Sequence, residues 1–533
     1  MKMKRKFMSI VLAAVMVFSM FAPVEMFAAD DVRVTLHGEE VDFGDDAPAL
    51  INERTYVPRW FIAYLAGEDV VLPEGDMLPL RQTMESLGHT IEWDEATRTA
   101  NIRLGGEETA ATVVAAFMQT LIGGDIMGAT MMLSPEMQVA LPVELFIFGM
   151  HGRVVDYAIL DHQQIQEMDV FVIAVNHTKG VAVHLITVDE NDIITGFHTL
   201  EFAFEPRMPA DDANFTAEPV TIGEDTLWPL TGLLTMPRDA SAENPVPAVI
   251  LVHGSGGQNM DSSIFENRPH ADIAEYLSSN GIAVLRYNKR TWLHSHGAQF
   301  AEVFGDDLNI WDESIEDVLL AAAILQADER ISDVFVIGHS LGGMIAPAIA
   351  EEAALAGAVM LAASPHPFFV ISYHQNLQAI GELLAAGAIS QDEADALIAM
   401  VRALLDEAWE MIHLPAEELA GAEIFHMPAL YQQSIYNVLP LPIIAAGNMP
   451  TLIIHGGRDF QVTTELDFQP MVDATQDLAH VTTMYFAGIN HLLMQSQTPY
   501  NDLRDYHVPG RVDENLLRAI VDWIFSATSE ISN

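Results

Sequence analysis

No cysteine occurs in the 533 residues of this chain, and only 24 lysines and arginines stand against 75 aspartates and glutamates. The first absence excludes disulfides, thiol nucleophiles and thiolate metal sites, so stability must come from packing. The second leaves a formal net charge of −51. Such a surface repels nucleic acid and anionic membranes, so no nucleic-acid partner is expected. Beyond the N-terminus, no stretch is apolar over the about 20 residues that span a bilayer. Nucleotide-binding patterns of the type G-x-x-x-x-G-K-[ST] or G-x-G-x-x-G are missing, as is H-E-x-x-H. His294 and His296, two apart in a loop, do not by themselves make a metal site. Neither a cofactor nor a metal is expected.

The one long apolar run lies at the start. Lys2, Lys4, Arg5 and Lys6 precede an apolar stretch from Phe7 to Ala22, and small residues follow at Ala28 and Ala29. Residues 1–29 therefore read as a secretory signal, with Pro23 and Glu25 arguing against an uncleaved anchor. The expected destination is outside the cell or at its envelope.

Gly338-His339-Ser340-Leu341-Gly342 spells G-x-S-x-G directly after the apolar run Val334–Ile337 and before an Ala-rich helical pattern. Strand, tight turn, helix is the setting in which this motif exposes a nucleophilic serine. Ser340 is the expected nucleophile, and the backbone N–H of Leu341 an expected donor to a developing oxyanion. Downstream, a buried-strand pattern, Thr451–His455, leads through Gly456 and Gly457 to Asp459. A further strand, Val481–Phe486, ends in a loop carrying His491. The order Ser, acid, His suits a triad in which His491 is the general base and Asp459 orients it. Upstream, the strand Val246–Val252 runs into His253-Gly254-Ser255-Gly256-Gly257. Ser255 or Gly256 is expected to supply the second oxyanion donor. His253 and His339 are expected to brace backbone.

These segments together resemble the α/β-hydrolase superfamily over residues 218–530, and in particular its prolyl-oligopeptidase-like and dienelactone-hydrolase-like esterases. The resemblance implies an α/β fold with no cofactor. A helical stretch at 365–447, with patterns at Gln375–Ala386 and Gln391–Ile412, falls where such folds insert a cap. Met400, Leu404, Trp409, Met411, Phe425, Met427 and Tyr431 are its candidates for an acyl pocket, or else for cap packing.

Ahead of the hydrolase part, residues 30–105 resemble the copper-amine-oxidase N-terminal-like stalk module, through Asn52-Glu53-Arg54-Thr55-Tyr56-Val57-Pro58 and Trp93-Asp94. Nothing there suggests copper. Residues 107–205 show one amphipathic helix, Thr109–Ile122, then strand patterns at Val154–Leu160, Val170–Asn176, Val181–Val188 and Ile193–Phe204. This is an α+β layout, similar to a small domain of unknown function often found before secreted hydrolases. Pro206–Pro219 reads as a linker with few contacts across it, so a chain beginning near Asp211 is expected to fold and to hydrolyse small esters.

The combined expectation is a secreted serine hydrolase, a carboxylesterase acting on small or medium acyl esters. A peptidase or acyltransferase with the same triad is the nearest alternative, and a non-catalytic envelope-binding protein the more distant one. A cell-envelope polymer is a second candidate partner, reached through the N-terminal domains.

Overall fold

A computed structural model of the chain describes principally residues 110–140, 151–294 and 308–531, apart from positions 167, 386, 388, 426 and 500, together with strands between residues 33 and 103. The expected leader lies outside the described residues. In the first unit, Arg33–Leu36 pairs with Glu39–Glu40 and with Thr99–Arg103, which also pairs with Thr90–Asp94. Ala49–Ile51, Arg54–Pro58 and Met77–Pro79 make a second small sheet.

The next unit opens with α1 (Ala110–Ile122), whose Val113, Val114, Phe117, Met118 and Leu121 form the buried face that the sequence spacing predicts. Four antiparallel strands follow: β1 (Val154–Ile165), β2 (Met168–His177), β3 (Gly180–Val188) and β4 (Ile194–Phe204). They lie in the order β4-β3-β2-β1. In β2, alternate residues Phe171, Ile173, Val175 and His177 are buried, and β3 buries Ala182, His184, Ile186 and Val188 in the same way. Period-two burial is what a sheet covered on one face requires.

The catalytic region is an eight-stranded sheet. Its strands are β5 (Phe215–Ile222), β6 (Leu230–Pro237), β7 (Val246–Val252), β8 (Ala283–Tyr287), β9 (Ile331–His339), β10 (Gly357–Leu361), β11 (Thr451–Gly456) and β12 (Val481–Phe486). The order is β5-β6-β8-β7-β9-β10-β11-β12, antiparallel across β5-β6-β8 and parallel from there on. Helices α2 (Pro269–Ser279), α3 (Glu316–Gln326) and α4 (Leu341–Glu352), with the last helix Glu514–Ile531, cover it. Along β7, Val249 and Leu251 join one apolar layer, and Ala248, Ile250 and Val252 the other. A strand buried on both faces needs continuous hydrophobicity, and each such side chain contributes about 1.5–3 kcal/mol. Between β10 and β11 the cap rises as α5 (Phe368–Ala385), α6 (Gln391–Met411) and α7 (Ala429–Tyr436). A capping box between Ser390 and Glu393 starts α6.

The linker reading of Pro206–Pro219 needs correction. Its second half is β5, which pairs residue by residue with β6 from Phe215 to Ile222. Pro219 is tolerated because β5 is the sheet's edge strand, where one ladder donor is dispensable. The first half is anchored as well. Arg207 donates its backbone N–H to Asp261, pairs through its guanidinium with Asp272, and accepts from the Arg286 guanidinium at its carbonyl. Phe202 and Phe204 pack edge-on to Trp292, with centroids 6.0 and 5.7 Å away. Proline and aspartate gave this stretch a solvated look, but Arg207 reaches carboxylates buried in the catalytic region. We therefore expect Arg207→Ala to lower the unfolding free energy by about 1.5–3 kcal/mol, the worth of a charge-assisted bond. Urea unfolding checks this; a midpoint unchanged from wild type would mean that the strap bears no stability.

Candidate active site

β9 ends at His339 and α4 begins at Leu341, so Ser340 occupies the turn between them with φ +55° and ψ −120°. A serine held there costs about 1–3 kcal/mol and persists only if its surroundings enforce it. They do: Ser340 N–H donates to the Leu361 carbonyl of β10 at 2.8 Å. A Cβ at Gly338 would collide with the Gly342 carbonyl, and one at Gly342 with the Val252 carbonyl. Both glycines of the motif are thus required by close backbone approach. Leu341 opens α4, so its N–H lies in the first turn, where no intrahelical acceptor exists.

Asp459 follows β11 and His491 follows β12. His491 Nδ1 stands 2.7 Å from Asp459 Oδ2, with the two side chains 5% and 0% exposed. A carboxylate only accepts, so in the neutral ring Nδ1 carries the proton and Nε2 a lone pair. The other carboxylate oxygen, Oδ1, accepts from the backbone N–H groups of Gln461 and Val462, each at 2.9 Å. The two chain ends can meet because Gly456 and Gly457 let β11 close on the turn after β12: a Cβ on either would strike Ile489 or Tyr485. His339 donates Nε2–H to the His491 carbonyl at 2.8 Å, and burial lowers its pKa to about 3. His253 likewise donates to the Asn259 carbonyl, its pKa lowered by burial to about 3. Both are backbone braces, as the sequence predicts.

The loop after β7 is held from beneath by a group that sequence reasoning missed. The buried Lys289 ammonium donates to the carbonyls of Gly254 at 3.0 Å and Gly256 at 3.2 Å. In a trans peptide the N–H points opposite to the C=O, so Lys289 turns the N–H groups of Ser255 and Gly257 away from itself. Lys289 is paired with Glu313 at 3.1 Å, and Glu313 also accepts from Thr291 and Tyr431. Glu313 stands on a π-helical turn, Trp311–Ile315, that precedes α3. The available signal was a lysine placed just past the apolar strand β8 in a chain poor in cations.

Ser340, His491, Ser255 and Gly257 line one cavity of about 300 Å³, together with Gln375, Gln378 and Glu382 of α5. Gly256 is exposed and outside that lining, so of the two expected loop donors only Ser255 is placed in it. The cap residues proposed for an acyl pocket are also outside it. Phe425 lies in the cap's own core with Met400, Leu404 and Met411 against it; Trp409 packs edge-on to Phe369; Tyr431 bonds to Glu313. Amphipathic spacing identified the buried face of the cap helices, and that face packs into the cap's own core or, at Met427 and Tyr431, onto the core of the catalytic sheet. Polar residues of α5 face the cavity.

The profile of the alpha/beta hydrolase family matches residues 249–503. Esterase EstD of Thermotoga maritima is 31% identical over 361 residues, spanning 67% of this chain and 80% of that protein. The chain belongs to the α/β-hydrolase family. Among solved structures, Est1E from Butyrivibrio proteoclasticus is 16% identical with a TM-score of 0.35, covering 58% of this chain and 99% of its own. An acylaminoacyl peptidase of Pyrococcus horikoshii is 13% identical with a TM-score of 0.36, covering 66% of this chain and 49% of its own.

For this hydrolase, Lys289→Met should lower kcat by about 100-fold, the scale of a misplaced site, with little change in KM. A folded variant with kcat within twofold of wild type would show that the loop holds its shape without the ammonium.

Proposed function

We propose that this protein is an exported carboxylesterase that cleaves small or medium acyl esters through Ser340, His491 and Asp459. Ser340 Oγ attacks the ester carbonyl while His491 Nε2 takes its proton. Asp459 holds the tautomer and stabilises the imidazolium. The N–H groups of Leu341 and Ser255 receive the oxyanion. His491 then protonates the departing alcohol, and water releases the acyl group from Ser340 by the same steps in reverse order. The observation that carries this reading is that a strained serine and a histidine already bound to a buried carboxylate line one cavity. That a 31% identical relative is an esterase supports it. The mixed lining, with Gln375, Gln378, Glu382 and Gln461 beside Phe460 and Leu492, suits short or oxygenated acyl groups better than long hydrocarbon chains. Export rests on the leader at 1–29, and retention at an envelope polymer on the stalk-like unit.

Turnover of p-nitrophenyl esters of graded chain length, beside aminoacyl anilides, tests the assignment. Short esters should be the best substrates and anilides poor ones; the opposite order would make the protein a peptidase. Ser340→Ala should abolish fluorophosphonate labelling and cut ester turnover by about 10⁴-fold or more. His491→Ala should be nearly as damaging, and the double variant little worse than either, because the groups act as a unit. Multiplicative losses would place His491 outside the reaction.

A further inference from the structure

The α+β unit carries a cluster for which ester hydrolysis has no use. His151, His177 and His184 are all buried, and one ring nitrogen of each lies within 4.8 Å of those of the other two. His177 closes β2 and His184 stands within β3, both among the buried alternate positions of their strands. His151 lies just ahead of β1, its ring 4.2 Å from that of Phe202. The hydrogen bonds around the cluster aim the rings. His177 Nδ1 is 3.0 Å from the Gly152 carbonyl, which can only accept, so in the neutral ring Nδ1 carries the proton and Nε2 a lone pair. His184 Nδ1 is 3.1 Å from the Thr199 hydroxyl, which serves either tautomer. The two Nε2 atoms, 3.4 Å apart, face one another. Two imidazole nitrogens at about 2.0–2.1 Å from a tetrahedral zinc are about 3.3–3.4 Å apart. The carbonyl behind His177 and the hydroxyl behind His184 are also the support that ligating histidines require.

We propose that His151, His177 and His184 bind a divalent transition-metal ion, with zinc the best fit. Three neutral imidazoles with no thiolate and no carboxylate among them favour zinc-like ions over magnesium or calcium. A fourth position is left for water. Lys179, two residues on from His177, is also buried. The ion would tie β2, β3 and the entry to β1 together, a cross-link in a chain that has no cysteine to make one. Neither a zinc-protease motif nor a regular spacing joins residues 151, 177 and 184, so the sequence alone gave no sign of the cluster.

The test uses the full-length, tag-free protein stripped with a chelator and then titrated with Zn²⁺ or Co²⁺. One ion per chain should bind, Co²⁺ should give the intense visible absorption of a four-coordinate site, and Zn²⁺ should raise the melting temperature by about 5 °C. His177→Gln and His184→Gln should each weaken binding about 100-fold or more and abolish the thermal shift. The same variants, without metal, should hydrolyse a short ester within twofold of wild type, since neither residue lines the catalytic cavity. Failure of the wild-type protein to take up either ion, or equal uptake by the folded variants, overturns the proposal. If the variants do not fold, the wild-type Co²⁺ spectrum decides by itself: four-coordinate bands support the site, and their absence removes it.

Discussion

The parallel register of the sheet is the constraint on which the site depends. Val252 pairs with Gly338, Gly338 with Met360, Met360 with Ile453 and Ile453 with Thr483. That row brings the carboxyl ends of β7, β9, β11 and β12 to one edge. A slip of one residue in any of these ladders would turn a strand's side chains to the opposite layer and carry its loop out of reach. The two apolar layers, which demand Val249 and Leu251 on one face and Ile250 on the other, are what forbid the slip. The geometry of the proposed site follows from core packing that fixes strand position to within a residue.

Charge plays the complementary part. The chain has few cations, yet Arg286, Lys289 and Arg290, which end or follow β8, are all buried. Each faces a carboxylate: Asp261, Glu313 and Asp317 respectively. Replacing such pairs with apolar groups is often neutral or stabilising, so their presence says little about stability. They do fix position. Arg286 is tied to the strap at Arg207, Lys289 to the loop after β7, and Arg290 to α3. One short stretch therefore links the entry of the chain, the proposed oxyanion loop and the π-helical turn beneath it.

Much of this was legible in the sequence. Strand–G-x-S-x-G–helix predicted the turn at Ser340, because strain and close approach leave few residues able to occupy it. The run of apolar residues at β7, β9, β10 and β11 predicted a parallel sheet covered on both faces. The bond between Asp459 and His491 was foreseen only as an order of motifs along the chain, since spatial meeting depends on Gly456 and Gly457. What was not legible is long-range. Lys289 acts on carbonyls more than thirty positions away in the chain, and no local pattern encodes that. Between an acyl pocket and cap packing the sequence could not choose, because amphipathic spacing reports which side of a helix is buried, not what buries it. Pro206–Pro219 looked like a tether since composition cannot reveal a partner strand.

The strap has a mechanical consequence. Tension drawn between the N-terminal units and the catalytic sheet must run through Glu205 and Arg207 before it reaches β5. The backbone bond of Arg207 to Asp261 and its ion pair with Asp272 take that load first, ahead of the β5–β6 ladder. β5 is also the outermost strand, with three others between it and β9. A pull on the N-terminal units would be spent on the strap and the sheet's far edge, leaving the turn that carries Ser340 undisturbed.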